Sequence, residues 1–230
     1  MDFQPIIEFD KQLLLLLNGS ESLFLDSMVT TLTNAWTWVP LYISLLIIVI
    51  KNSESAVKIL LTLAAAGLCV LLAGTIDDTI VKPLVGRWRP TRDPEIGLLV
   101  DIVDGYRGGR FGFFSAHASN TFSIAIFFCW LVRSRLLSVA LVLWSLINCW
   151  TRLYLGVHFP GDILVGLCWG GLVGTGVYFL YRYCVAKWAW TTAYTSQAYT
   201  KTGFIREDAD MPVCVLMFTL IYAVLRACLA

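Results

Sequence analysis

The 230-residue chain is 58% hydrophobic and only 14% charged, with a mean hydropathy of +0.73, which lies outside the range of soluble globular domains. Its 17 basic and 16 acidic side chains leave a net charge of +1, which gives no sign of a nucleic-acid partner. These limits leave an integral membrane protein, an all-α helical bundle forming one domain over residues 1–230.

From the N-terminus, MDFQPIIEFDKQLLLLLNGSESLFLD carries acidic residues where a signal peptide would carry basic ones. Its apolar run, Leu13 to Leu17, is too short to cross a bilayer. The expectation is an interfacial helix retained in the mature protein. Six apolar runs then follow that could span the membrane: Leu32 to Ile50, Ile59 to Ile76, His117 to Val132, Leu136 to Trp150, Ile163 to Tyr181 and Met211 to Leu229. They are joined by 51–58, 77–116, 133–135, 151–162 and 182–210. The seven cysteines all sit in or beside apolar runs without metal-ligand spacing, and they read as buried free thiols.

The alternation of spans puts the end of the second, the start of the third, the end of the fourth and the start of the fifth on one membrane face. Three polar clusters meet there: KPLVGRWRP (Lys82 to Pro90), FFSAH (Phe113 to His117) and TRLYLGVHFPGD (Thr151 to Asp162), which hold both histidines of the chain. Lysines and arginines divide eight to eight between the faces. Setting Lys82, Arg89 and Arg152 aside as site residues leaves five against eight, which puts the clustered face outside by the positive-inside rule.

Arginine forks match phosphate oxygens and lysine adds a point charge, so Lys82, Arg89 and Arg152 suit a phosphoryl group. Ser115 and the backbone amides at the start of the third span add donors at a helix N-terminus. Arg87, Arg92, Arg107 and Arg110 are equally readable as headgroup anchors. His158 and Asp162 lie four residues apart, so the carboxylate can hold one ring nitrogen and leave the other as a nucleophile. Asp162 also begins a stripe with Gly166, Gly170 and Gly174, a small-residue packing face that turns Asp162 into the bundle. Trp88, Phe111, Phe113, Tyr154 and Phe159 flank the site as an aromatic belt.

The three clusters resemble the three-part signature of the type 2 phosphatidic acid phosphatase (PAP2) superfamily: K-x6-R-P, then P-S-G-H, then S-R-x5-H-x3-D. Lys82, Arg89 and Pro90 complete the first part, and Arg152, His158 and Asp162 match the third. The chain departs at Phe114 and Ala116, which stand for the family's proline and glycine, and at Thr151, which keeps a hydroxyl in place of serine. The resemblance implies that His158 attacks phosphorus with Asp162 orienting it, and that His117 protonates the leaving oxygen and later activates water. Lys82, Arg89, Ser115, Arg152 and the amide of Ala116 would hold the phosphoryl oxygens, with no metal and no cofactor. Within the family's range the substrate is undecaprenyl diphosphate, a phosphatidyl phosphate or a lipid A phosphate, reached from the leaflet of a bacterial inner membrane with the site on its periplasmic face.

Three other readings compete. A transporter would need polar residues deep in its spans on both sides of the midplane. A metal hydrolase built on His117, His158 and Asp162 fits by ligand type but would crowd a divalent ion among three cations. A phosphotransferase would share the same site and pass the phosphoryl group to another lipid. The oligomeric state leaves no mark on the sequence.

Overall fold

The computed structural model describes residues 4–188 and 196–230, so part of the expected 182–210 connection, residues 189–195, lies outside the described residues. Helices α1 (Gln4–Leu17), α2 (Leu23–Thr33) and α3 (Val39–Lys51) open the chain. They are followed by α4 (Ala56–Val85), α5 (Ala116–Val132), α6 (Arg135–Tyr154), α7 (Pro160–Trp188) and α8 (Arg206–Cys228). Only isolated bridges, such as Trp88 with Phe111, interrupt the helical architecture of the described residues.

Local sequence sets the helix boundaries. Serine side chains accept from backbone amides at four N-termini, with Ser22 capping Leu25, Ser55 capping Lys58, Ser115 capping Ala118 and Ser134 capping Leu137. Asn34 ends α2 and accepts from Trp36, and Pro40 starts the next helix, so the chain turns by 67° between Leu23–Thr33 and Ala35–Lys51. Among the described residues, four helices are long and apolar enough to cross a membrane, and a fifth span results if that bent pair is one. The third expected span, His117 to Val132, falls in α5, which has 17 residues, about 25 Å of rise, and is shorter than a full crossing. Six spans are therefore not established by length and composition.

The glycine stripe works as expected. A Cβ at Gly166 would stand 2.8 Å from the Ser115 carbonyl oxygen, and one at Gly170 would stand 2.5 Å from that of Ser119. Helix α7 thus lies directly on the backbone of α5, and Asp162 is fully buried at the head of the stripe. Beneath the site, Trp144 fills the core and meets Trp38 and Tyr42 edge-on at 5.9 and 6.0 Å. Large apolar side chains such as Leu60, Leu172 and Phe218 point outward, as a lipid-facing surface requires.

Two expectations need correction. All seven cysteines are free, but only Cys69 and Cys149 are buried, and Cys168, Cys214 and Cys228 are exposed. An apolar residue on a membrane helix can face lipid as readily as core, so an apolar setting does not imply burial. The N-terminal helix is also more than a raft on the interface: α1 docks on α7 with Asp10, Lys11 and Leu14 buried.

Candidate active site

The three clusters come together at one end of the bundle. His158 lies in the connection between α6 and α7, where it is 1% exposed. Its Nδ1 faces Asp162 Oδ2 at 3.6 Å, a separation longer than a hydrogen bond. Its Nε2 lies 3.3 Å from Arg89 Nη1. A guanidinium can only donate, so Nε2 is the accepting nitrogen and carries the lone pair. Burial, then the charges of Arg89, Arg152 and Lys82, hold the His158 pKa well below the usual imidazole value, so the ring is neutral at pH 7.

The cations are fixed before any substrate arrives. Arg89 donates to the carbonyls of Phe111 (3.1 Å) and Val157 (3.2 Å), which aims its fork. Arg152 is 2% exposed and donates to Thr33 Oγ1 at 2.6 Å and to the Tyr106 hydroxyl at 3.1 Å. Its Nε has no partner among the described residues. Lys82 pairs with Asp77 at 2.9 Å and with Asp78. His117, at the second position of α5, is the one expected site residue that remains exposed. It is nevertheless closely surrounded, with the cations Arg152, Arg89 and Lys82 and the His158 ring as its neighbours. Ser115 is fully buried, and its hydroxyl oxygen accepts from the Ala118 amide at 3.4 Å, which leaves its O–H as a donor.

Several residues with a part in this arrangement were not singled out by the sequence. Arg87 donates to Asp162 Oδ1 at 2.7 Å and to Asp10 Oδ2 at 2.6 Å, with its guanidinium over the Phe159 ring at 4.2 Å. It is therefore a site residue and not a headgroup anchor. Asp77 is fully buried and accepts from the Phe114 amide at 3.2 Å. A proline at 114, as in the signature, would lack that N–H, so the departure links the second cluster to Lys82. Thr33 and Tyr106 steady Arg152 from outside all three clusters. In sequence, Thr33 is an ordinary helix threonine and Tyr106 an ordinary loop aromatic, so neither carries a signal.

The aromatic belt is corrected in part. Trp88 is exposed, whereas Tyr154 and Phe159 are buried at 3% and 1%. The Tyr154 hydroxyl donates to Asp26 at 2.6 Å and tethers α2, and Phe159 supports Arg87. Neither reaches lipid, because hydrogen bonding and ring stacking draw both inward.

Fixed cations, two histidines and a buried carboxylate gathered at one end of a membrane bundle have the chemistry of a phosphate-handling enzyme. The model of the PAP2 superfamily matches residues 55–186, and the chain belongs to that superfamily as a membrane lipid phosphatase. The lipid A 4'-phosphatase of Bacteroides thetaiotaomicron is 44% identical over 182 residues, covering 78% of this chain and 80% of its own. The lipid A 4'-phosphatase of Porphyromonas gingivalis is 34% identical over 189 residues, covering 80% and 77%. No solved structure matches.

Proposed function

We propose that this phosphatase removes a phosphate monoester from lipid A, acting through a phosphohistidine on His158. The observation that carries the mechanism is the orientation of that imidazole, with Nε2 turned to Arg89 and Nδ1 to Asp162. The substrate reading is supported by the printed names of the two relatives. In the first step His158 Nε2 bonds to phosphorus, the bond from phosphorus to the lipid oxygen breaks, and His117 gives that oxygen a proton. In the second step His117 takes a proton from water as the water attacks phosphorus, and the P–N bond breaks to release inorganic phosphate. Arg89 and Arg152 hold the phosphoryl oxygens, and Arg152 Nε, buried without a partner, has a donor left to give. Lys82 reaches the phosphate by exchanging one of its two carboxylates for it. The amide of Ala116, in the first turn of α5, adds a helix N-terminus, and the Ser115 hydroxyl, which accepts from Ala118, still has its O–H to give a phosphoryl oxygen.

The site faces the periplasm in this reading. Arg87 is bound up with Asp10 and Asp162 and so joins the set-aside cations, leaving four basic residues on the site face against eight on the other. The proposal is tested by phosphate release from a panel of lipid A, phosphatidyl and undecaprenyl phosphates with EDTA in excess. Preferred cleavage of lipid A without added metal is expected. Preference for another lipid would overturn the substrate, and activity restored only by one divalent ion would overturn the cation-based mechanism.

A further inference from the structure

We infer that the N-terminal helix is a working part of the catalytic apparatus: Asp10 of α1, acting through Arg87, positions Asp162 and thereby His158. The inference rests on the proposed roles of His158 and Asp162. It concerns an element that begins well before residue 55, where the match to the superfamily starts.

The geometry is a closed ring of contacts. Asp162 uses both of its oxygens: Oδ2 accepts from the Phe159 amide at 3.0 Å and faces His158 Nδ1, while Oδ1 accepts from Arg87 Nη1 at 2.7 Å. The second arm of the Arg87 fork goes to Asp10 Oδ2 at 2.6 Å, and Asp10 Oδ1 accepts from the Gly161 amide at 2.7 Å. Gly161 immediately precedes Asp162, so α1 grips the start of α7 directly and through Arg87. The approach is close enough that a Cβ at 161 would stand 2.9 Å from Asp10 Oδ2. The Phe159 ring beneath the guanidinium removes what rotation the two carboxylates leave.

The charges explain why two carboxylates are needed. A fork shared between Asp10 and Asp162 presents one donor to each. With Asp10 neutral, Arg87 would turn both donors onto Asp162, the bidentate arrangement that guanidinium and carboxylate prefer. That would draw Oδ2 away from the Phe159 amide and from His158. Asp10 therefore keeps Asp162 aimed at the imidazole without touching substrate, as a positioning residue. A role limited to docking α1 would leave the chemistry of the folded enzyme unchanged.

The test uses the full-length protein in detergent. It measures kcat, KM, Tm and the rate of phosphoenzyme formation by acid quench. Asp10→Asn is expected to lower kcat and phosphoenzyme formation together by about ten- to a hundredfold, the range typical of outer partners that orient a functional group, with KM little changed. Glu8→Gln, two residues away on the same helix, should leave kcat within about twofold, since its side chain is exposed and among the described residues reaches only Lys11, at 3.6 Å. Because Asp10 acts chiefly through Arg87, adding Asp10→Asn to Arg87→Gln will cost far less than Asp10→Asn costs in the wild type, the remainder being its direct hold on the Gly161 amide. Should Asp10→Asn fail to fold, Gly161→Ala displaces Asp10 Oδ2 with every charge kept and should lower kcat in the same way. A wild-type kcat in Asp10→Asn, or in Gly161→Ala where that variant stands in, or losses that multiply in the double variant, would overturn the inference. Phosphate release by His158→Ala would instead remove the mechanism on which it rests.

Discussion

The two ends of the bundle carry the same number of lysines and arginines, but only the site end buries several of them and fixes them with partners. At the site end, Lys82 and Arg152 are buried, Arg87 bridges two carboxylates, and Arg89 is held by two backbone carbonyls. At the other end, Arg133, Arg135, Lys201 and Arg206 are exposed around a cavity of 780 Å³ that has Asp210 as its one acidic lining residue. Arg135, Arg182 and Lys201 make no ion pair among the described residues, and no carboxylate occurs anywhere in 163–206. Burying a charge is costly unless partners hold it in place, and of the buried and fixed cations Lys82, Arg89 and Arg152 are the ones assigned to phosphate in the proposed function. Exposed cations at helix ends suit anchoring at headgroups. A charge count cannot make this distinction, whereas burial and partners do.

The largest test of the contrast is at Arg152. Arg152→Lys keeps the charge but loses the fork that Thr33 and Tyr106 hold, and kcat/KM should fall by at least ~10²-fold, as expected when an oxyanion donor is removed. A loss below tenfold would place Arg152 among the anchors. Next is the pH profile. Burial and three cations depress the His158 pKa below the reference value of 6.5. The native ring therefore stays neutral where a free histidine would protonate, and the acid limb of kcat/KM assigned to the nucleophile should lie well below pH 6.5 once the substrate's own ionisation is subtracted. The same sign makes the protein less stable as pH falls through this range, because the unfolded chain takes up a proton that the native one refuses. An acid limb at 6.5 or above would show a solvated His158. Phe114→Pro should have a smaller effect: it removes the amide that Asp77 accepts, and unfolding experiments should show a loss of about 1–3 kcal/mol. At the far end, Arg135→Gln and Lys201→Gln should change phosphate release less than twofold.

Much of this was legible in the sequence because the signature residues sit at fixed spacings beside apolar runs. Lys82, Arg89, His117, Arg152, His158 and Asp162 converge as that spacing requires, and the stripe from Gly166 to Gly174 buries Asp162. The carboxylates and neutral partners were not legible. Asp10 is 152 residues from Asp162 and Thr33 is 119 from Arg152, and no local pattern reports pairings across such distances. Asp77 and Asp78 stand close to Lys82 in sequence, but they lie in an apolar helix whose π-helical turns at Leu71–Thr75 and Asp77–Val81 change which residues face inward. The number of spans was uncertain for a similar reason, since α5 is short and the bend at Asn34 divides a run that looks continuous.

The central claim is that His158 forms the bond to phosphorus and His117 moves the proton. His117→Ala, given an activated aryl phosphate that needs little help in leaving, should accumulate acid-quenchable phosphoenzyme, because water attack lacks its base. His158→Ala should accumulate none with any substrate. Label on the His158 variant, or equal impairment of His117→Ala on aryl and lipid phosphates, would contradict the account.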